Sequence, residues 1–71
     1  GGMYGTAGIP DIIACVDGRF FGFEVKTVDG KPTKLQEATI RRIRASGGTA
    51  AVVRSVEEVR RLLEHANIHE I

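Results

Sequence analysis

Asp17-Gly18 lies between two β-prone runs, residues 12–16 (Ile-Ile-Ala-Cys-Val) and residues 20–25. That dipeptide is a strong signal for a two-residue hairpin loop, because both loop residues must take positive φ and Asp and Gly tolerate it. A loop of that length also sets the register. Facing residues then have numbers with a constant sum: Val16 faces Arg19, Ala14 faces Phe21, and Asp11 faces Glu24. The second run is aromatic and β-branched without clean alternation, which suits a strand buried on both faces.

The remaining segments read as follows. Residues 1–10 are glycine-rich, contain Pro10 and suit a loop, as do residues 27–32 with Asp29-Gly30 and Pro32. Thr33-Lys34-Leu35-Gln36 has the spacing of a capping box, so a helix starts there. It runs to about Ser46 and stops at Gly47-Gly48. Its core-facing side holds Leu35, Thr39, Ile40 and Ile43 with Gln36 in the middle; Lys34, Glu37, Arg41 and Arg44 face solvent. Residues 49–53 form a third strand. Ser55 and Glu58 repeat the capping-box spacing before a helix whose apolar stripe is Val56, Val59, Leu62, Leu63 and Ala66. The order β-β-α-β-α predicts an α/β fold with a mixed sheet, helices packed on it and one parallel crossover, normally right-handed.

A chain of 71 residues holds one domain, 1–71, with a thin core. Domains near that size bury only about 60% of their unfolded surface, so a partner subunit, a metal or further chain is expected to supplement the core. Disulfides do not, because Cys15 is the single cysteine; in its apolar run it reads as a small buried hydrophobe and fits a reducing, intracellular setting. No apolar run reaches the roughly 20 residues that span a bilayer, and the start lacks a signal-peptide pattern, so a cytoplasmic or nucleoid location is expected. Net charge is only +1, yet it is unevenly placed: acids balance or exceed bases up to residue 30, and bases dominate from Lys31 to Arg61.

The register puts chemistry at the open end of the hairpin. Directly opposed residues have Cβ atoms about 4.5–5.5 Å apart, and like charges so placed repel. Asp11 facing Glu24 therefore calls for a shared proton or a cation between the two carboxylates. Mg²⁺ or Mn²⁺ suits such hard oxygen donors. Lys26 follows Glu24 at the strand period of two and shares its face, where an ammonium can offset the carboxylates, orient a water or meet a phosphate. Val25 points to the other face, into apolar packing, and its backbone carbonyl is a further candidate ligand. Gln36, polar on a core-facing side, needs a partner; Lys26, a phosphate or the capping box alone each supplies one. His65 and His69 stand four apart, without a third ligand in view.

Ile9-Pro10-Asp11, then Phe23-Glu24-Val25-Lys26, then Gln36, resembles the Pro-Asp, Asp/Glu-x-Lys pattern of the restriction-endonuclease-like superfamily. The longer stretches Gly8-Ile9-Pro10-Asp11-Ile12-Ile13-Ala14, Gly22-Phe23-Glu24-Val25-Lys26-Thr27, Lys31-Pro32-Thr33-Lys34-Leu35-Gln36 and Gly47-Gly48 resemble the virus-type replication and repair nucleases (VRR-NUC), over about residues 4 to 56. The resemblance implies a restriction-endonuclease-like core and a phage or bacterial intracellular nuclease that hydrolyses DNA phosphodiesters. Asp11 and Glu24 would bind Mg²⁺ or Mn²⁺ with the Val25 carbonyl assisting. Lys26 would position or activate water, and Gln36 would support the site. Lys31, Lys34 and Arg41 are candidate DNA contacts; the basic run Arg41, Arg42 and Arg44 otherwise reads as a solvated helix face. Stand-alone members resemble Holliday junction resolvases, so a homodimer acting on branched DNA in repair is expected. The family fold usually begins with a helix ahead of the glycine-rich segment, bearing an acid near the metal. This sequence starts at Gly1 inside that segment, so the expectation is that either the helix is removed or another chain supplies equivalent packing, with a metal cradle short of one ligand. The alternative is an inactive DNA-binding or interaction module of the same fold.

Overall fold

The structure is a computed structural model that describes residues 8–66. Five elements follow in the expected order: β1 (Ile12–Val16), β2 (Arg19–Val25), α1 (Lys34–Ala45), β3 (Thr49–Val53) and α2 (Val56–His65). Asp17 and Gly18 both have positive φ, 51° and 76°, the conformation that matches the twist of a tight hairpin. The register is the one the turn dictates, from Val16 opposite Arg19 to Ile12 opposite Phe23. β2 starts one residue earlier than expected, because Arg19 pairs with Val16. β3 then adds parallel to β2, with Glu24 opposite Val52 and Val25 opposite Val53. The result is a mixed sheet in the order β1-β2-β3.

The central strand carries the fold. Phe21 and Phe23 turn to the α2 face, with ring centroids 5.9 Å apart, and form the core with Val53. Ala14, Val16, Val59, Leu62, Leu63 and Ala66 pack around them. Gly22 and Glu24 turn to the α1 face, where Ile40 and Ala50 are also buried. Arg19 Nη1 donates to the Ala66 carbonyl and so ties the hairpin to the end of α2.

Helix ends are closed as their residues dictate. Thr33 Oγ1 accepts from the Gln36 N–H and Gln36 Oε1 accepts from the Thr33 N–H, a complete capping box. At the other end the Gly47 and Gly48 N–H groups donate to the carbonyls of Arg44 and Ile43, a Schellman pattern. The second expected capping box is half formed. Ser55 Oγ accepts from the Glu58 N–H, but the Glu58 carboxylate takes the N–H of Arg54 at 2.6 Å and not that of Ser55.

Four packing expectations are corrected. Val56 is 85% exposed, because the first turn of α2 overhangs the end of a sheet that stops at Val53. Leu35 is half exposed for a similar reason: it lies in the first turn of α1 and meets Gly8. Val25 is also half exposed; it borders an open apolar hollow with Ile12, Val53, Val56 and Val59, and does not pack into the core. Cys15 is exposed, since β1 is an edge strand that α1 does not reach and its cross-strand neighbour Phe20 is itself 41% exposed.

Candidate active site

The hairpin brings the paired acids together just past its ladder, and three contacts hold them. Asp11 is exposed and precedes β1, so it has no ladder partner of its own. Its Oδ2 accepts from the backbone N–H of Val25 at 2.9 Å. That bond draws the Asp11 carboxylate to the end of β2, beside Glu24. Glu24 is only 3% exposed, the one buried charged residue among those described. A buried carboxyl needs partners, and Gln36 supplies one: its Nε2 donates to Glu24 Oε1 at 2.9 Å. Lys26 Nζ lies 3.9 Å from the same oxygen. The Lys26 backbone is fixed too, since its N–H donates to the Val53 carbonyl at 3.0 Å.

Gln36 thus serves two ends at once. Its Oε1 closes the capping box and its Nε2 binds Glu24, not Lys26 as one sequence reading held. The capping box holds the side chain in place, so the contact to Glu24 costs little further ordering.

Pro10 and Gly22 position Asp11. Pro10 is buried against Gly22, and a Cβ built on Gly22 would fall 3.0 Å from Pro10 Cγ and 3.3 Å from Ile43 Cδ1. A side chain at 22 would push Pro10 off the sheet and Asp11 with it. The signal was present in the sequence as a glycine inside a strand, a mark of close approach. Arg54 is a second residue that motif reading missed. Its Nη2 donates to the Gly30 carbonyl at 2.8 Å, so it pins the loop between Lys26 and α1 to the end of β3.

The two acids are driven apart electrostatically. Burial raises the Glu24 carboxyl above its ordinary range, and the hydrogen bond and charge of Asp11 push it further, against the pull of Lys26. The Val25 N–H lowers Asp11, with smaller help from Glu24 and Lys26 against a modest desolvation. The two shifts run in opposite directions, so Glu24 keeps its proton to higher pH than Asp11 does.

The donor set fits a hard divalent ion. Two carboxylates converge, and the Val25 carbonyl points to the same side as its N–H, toward Asp11 and past the end of the β1 ladder. Among the described residues no group of three or more His, Cys, Asp or Glu gathers. Mg²⁺ is commonly held by one or two carboxylates with water and substrate phosphate, so two suffice. His65 is exposed near the end of α2, and His69 lies outside the described residues. The candidate DNA contacts Lys31, Lys34 and Arg41 are all exposed; Lys31 lies in the loop that leads from Lys26 into α1, Lys34 opens that helix, and Arg41 lies further along it.

Fold and site together define a small α/β unit with an acid pair, a lysine and a glutamine at the end of a central strand. Compared with protein-family models, with curated proteins and with solved structures, the chain finds no match. No helix among the described residues is long and apolar enough to cross a membrane.

Proposed function

We propose that the chain is the core of a divalent-metal-dependent DNA endonuclease of the restriction-endonuclease-like superfamily, similar to the VRR-NUC nucleases. The observation that carries this reading is the convergence on Glu24. A buried carboxylate with a second acid, a lysine and a glutamine gathered around it costs stability, and such costs concentrate at functional sites. A structural ion pair needs no second acid.

Asp11 and Glu24, with the Val25 carbonyl, would hold Mg²⁺ or Mn²⁺. The ion would supply positive charge at the scissile phosphate and acidify a water there. The chain's own residues do the rest. The Val25 N–H keeps Asp11 ionised and aimed. Gln36 fixes the Glu24 carboxylate in one rotamer, so its second oxygen is presented without reorganisation. Lys26 offsets the acid pair and is placed to orient water or contact the phosphate.

A cleavage panel of linear, flapped and four-way DNA in Mg²⁺, Mn²⁺ and EDTA tests the proposal. Cleavage in either metal and none in EDTA is expected, strongest on branched DNA. One observation favours an alternative, an inactive DNA-binding module: Val25 and Gln36 donate to the two acids and Lys26 approaches Glu24 with no metal required. Binding that is equal in EDTA, with no cutting under any condition, would establish that alternative.

Assembly as a homodimer is part of the same proposal. The described core has five buried apolar side chains, Phe21, Phe23, Ile40, Ala50 and Val53, while Ile12, Ile13 and Phe20 remain exposed around the β1 edge. Sedimentation at micromolar concentration is expected to show a dimer; a well-folded monomer would refute it.

A further inference from the structure

The two flanks of α1 differ in character. On one flank the helix presents Leu35, which meets Gly8, and Ile43, which borders an apolar hollow with Phe20. Toward β3 it presents Lys34, Glu37, Arg41 and Arg44 at helical spacing. Between that flank and the free edge of β3 lies a cleft of about 330 Å³, bordered by Pro32, Arg41, Arg44 and Val52. Val52, which borders the cleft, is the register partner of Glu24, so one end of the cleft lies one strand away from that carboxylate.

We infer that this cleft is the track for the sugar–phosphate backbone of a nucleic-acid strand leaving the site, with Arg41 and Arg44 each neutralising a phosphate. Arg44 is already oriented. Its Nε donates to the Ala50 carbonyl at 2.9 Å, which holds the guanidinium against the strand edge. Its Nη groups have no side-chain partner among the described residues and keep the planar fork that matches phosphate oxygens. Arg41 is exposed and likewise unpaired among the described residues. Arg44 follows Gln36 by eight residues, roughly 12 Å along the helix axis. A duplex strand places a phosphate about every 3.4 Å of axis, so the cleft spans about three to four nucleotides beyond the site.

Glu37, the only acid of α1, borders the same cleft. It opposes a polyanion there, so the inference makes predictions of both signs. The inference rests on the nuclease reading for what the acid pair does, but binding without metal tests the track separately.

The test is fluorescence anisotropy of a labelled short single strand and its duplex in EDTA, from about 50 to 200 mM salt. Arg41→Ala with Arg44→Ala is expected to lower the slope of log affinity against log salt by about 1.8 on the duplex and about 1.4 on the single strand. Affinity in the lowest salt is expected to fall about tenfold or more. Glu37→Gln is expected to tighten binding about twofold to fivefold. Thermal melts accompany each variant; if the Arg44 change unfolds the chain, Arg41→Ala alone is expected to lower the duplex slope by about 0.9. An unchanged slope in a folded Arg41 variant overturns the inference, as does weaker binding by Glu37→Gln. Polyglutamate bound as tightly as DNA would assign the cleft to acidic polypeptide and overturn it too. Failure of the nuclease reading shows instead as wild-type binding without cleavage, with the arginine effects intact.

Discussion

Glu24→Gln is expected to abolish divalent-dependent cleavage and, in EDTA at neutral pH, to make the folded chain more stable than wild type. The two effects have one cause. A glutamine at 24 keeps the Gln36 contact, because its Oε1 can accept from Gln36 Nε2, and its amide can donate to Asp11; it gives up only the ion pair with Lys26 at 3.9 Å. What it loses is the charge that burial and Asp11 oppose. Like charges across a hairpin destabilise by up to about 1 kcal/mol, which for a domain of this size is about 4–8 °C in melting temperature. The pH dependence follows from the direction of each shift. Glu24 is raised above its ordinary 4.5, so its share of stability is full below that value and is lost as pH rises through its folded value. Asp11 is lowered from 3.8, so its share is present above that value and is lost as pH falls through its folded value. Metal-free wild type should therefore be most stable in mild acid and weaken toward neutrality, whereas Glu24→Gln should stay flat over the upper part of that range. Mg²⁺ should recover the wild type at neutral pH and leave the variant unchanged. Melting curves across pH, with and without Mg²⁺, measure all of this. A variant less stable than wild type in EDTA at pH 7, or one that still cuts at a comparable rate, removes the basis of the proposed site.

The site was legible where local chemistry sets geometry. Asp17-Gly18 dictated the hairpin register, and the register alone placed Asp11 beside Glu24. Thr33 and Gln36 marked the start of α1, and Gly47-Gly48 its end. What stayed hidden depends on how far one element extends over another. A helical wheel assigns Leu35 and Val56 to an apolar side, but not how much of each side chain the neighbouring elements cover; Leu35 stays half exposed and Val56 largely exposed. Cys15 shares an apolar run with Ile13, yet α1 lies over β2 and β3 and leaves the edge strand bare. The clamp on Asp11 was also hidden, because the donor is a backbone N–H, which carries no residue signature. Sequence alone leaves Gln36 to serve either the cap or the site. The structure gives it both, since its amide has a separate acceptor and donor and each end finds a partner.

Phe21→Ala is expected to unfold most of the chain under conditions where Glu24→Gln folds well. Phe21 is fully buried and stacks on Phe23 at the centre of the core. Truncating a buried phenylalanine costs about 3–5 kcal/mol, from lost transfer energy and the cavity left behind. A 71-residue chain at the usual 0.05–0.15 kcal/mol per residue holds about 4–11 kcal/mol in total. The loss is therefore a large part of the whole, and the core has few other side chains to collapse into the gap. Urea unfolding by circular dichroism measures it, with Phe21→Leu expected to restore most of the midpoint. A cost below about 1 kcal/mol would mean that the core lies elsewhere. The consequence for the site comes through the strand itself. Phe21 and Phe23 face the core while Gly22 and Glu24 face α1, so alternate residues of β2 serve the core and the proposed site. A slip of one residue would bury Glu24 in the apolar face and expose the phenylalanines. The packing of Phe21 is thus what holds Glu24 on the face where Asp11, Lys26 and Gln36 meet it. Losing that packing should cost activity through the fold, whereas Glu24→Gln costs it with the fold intact.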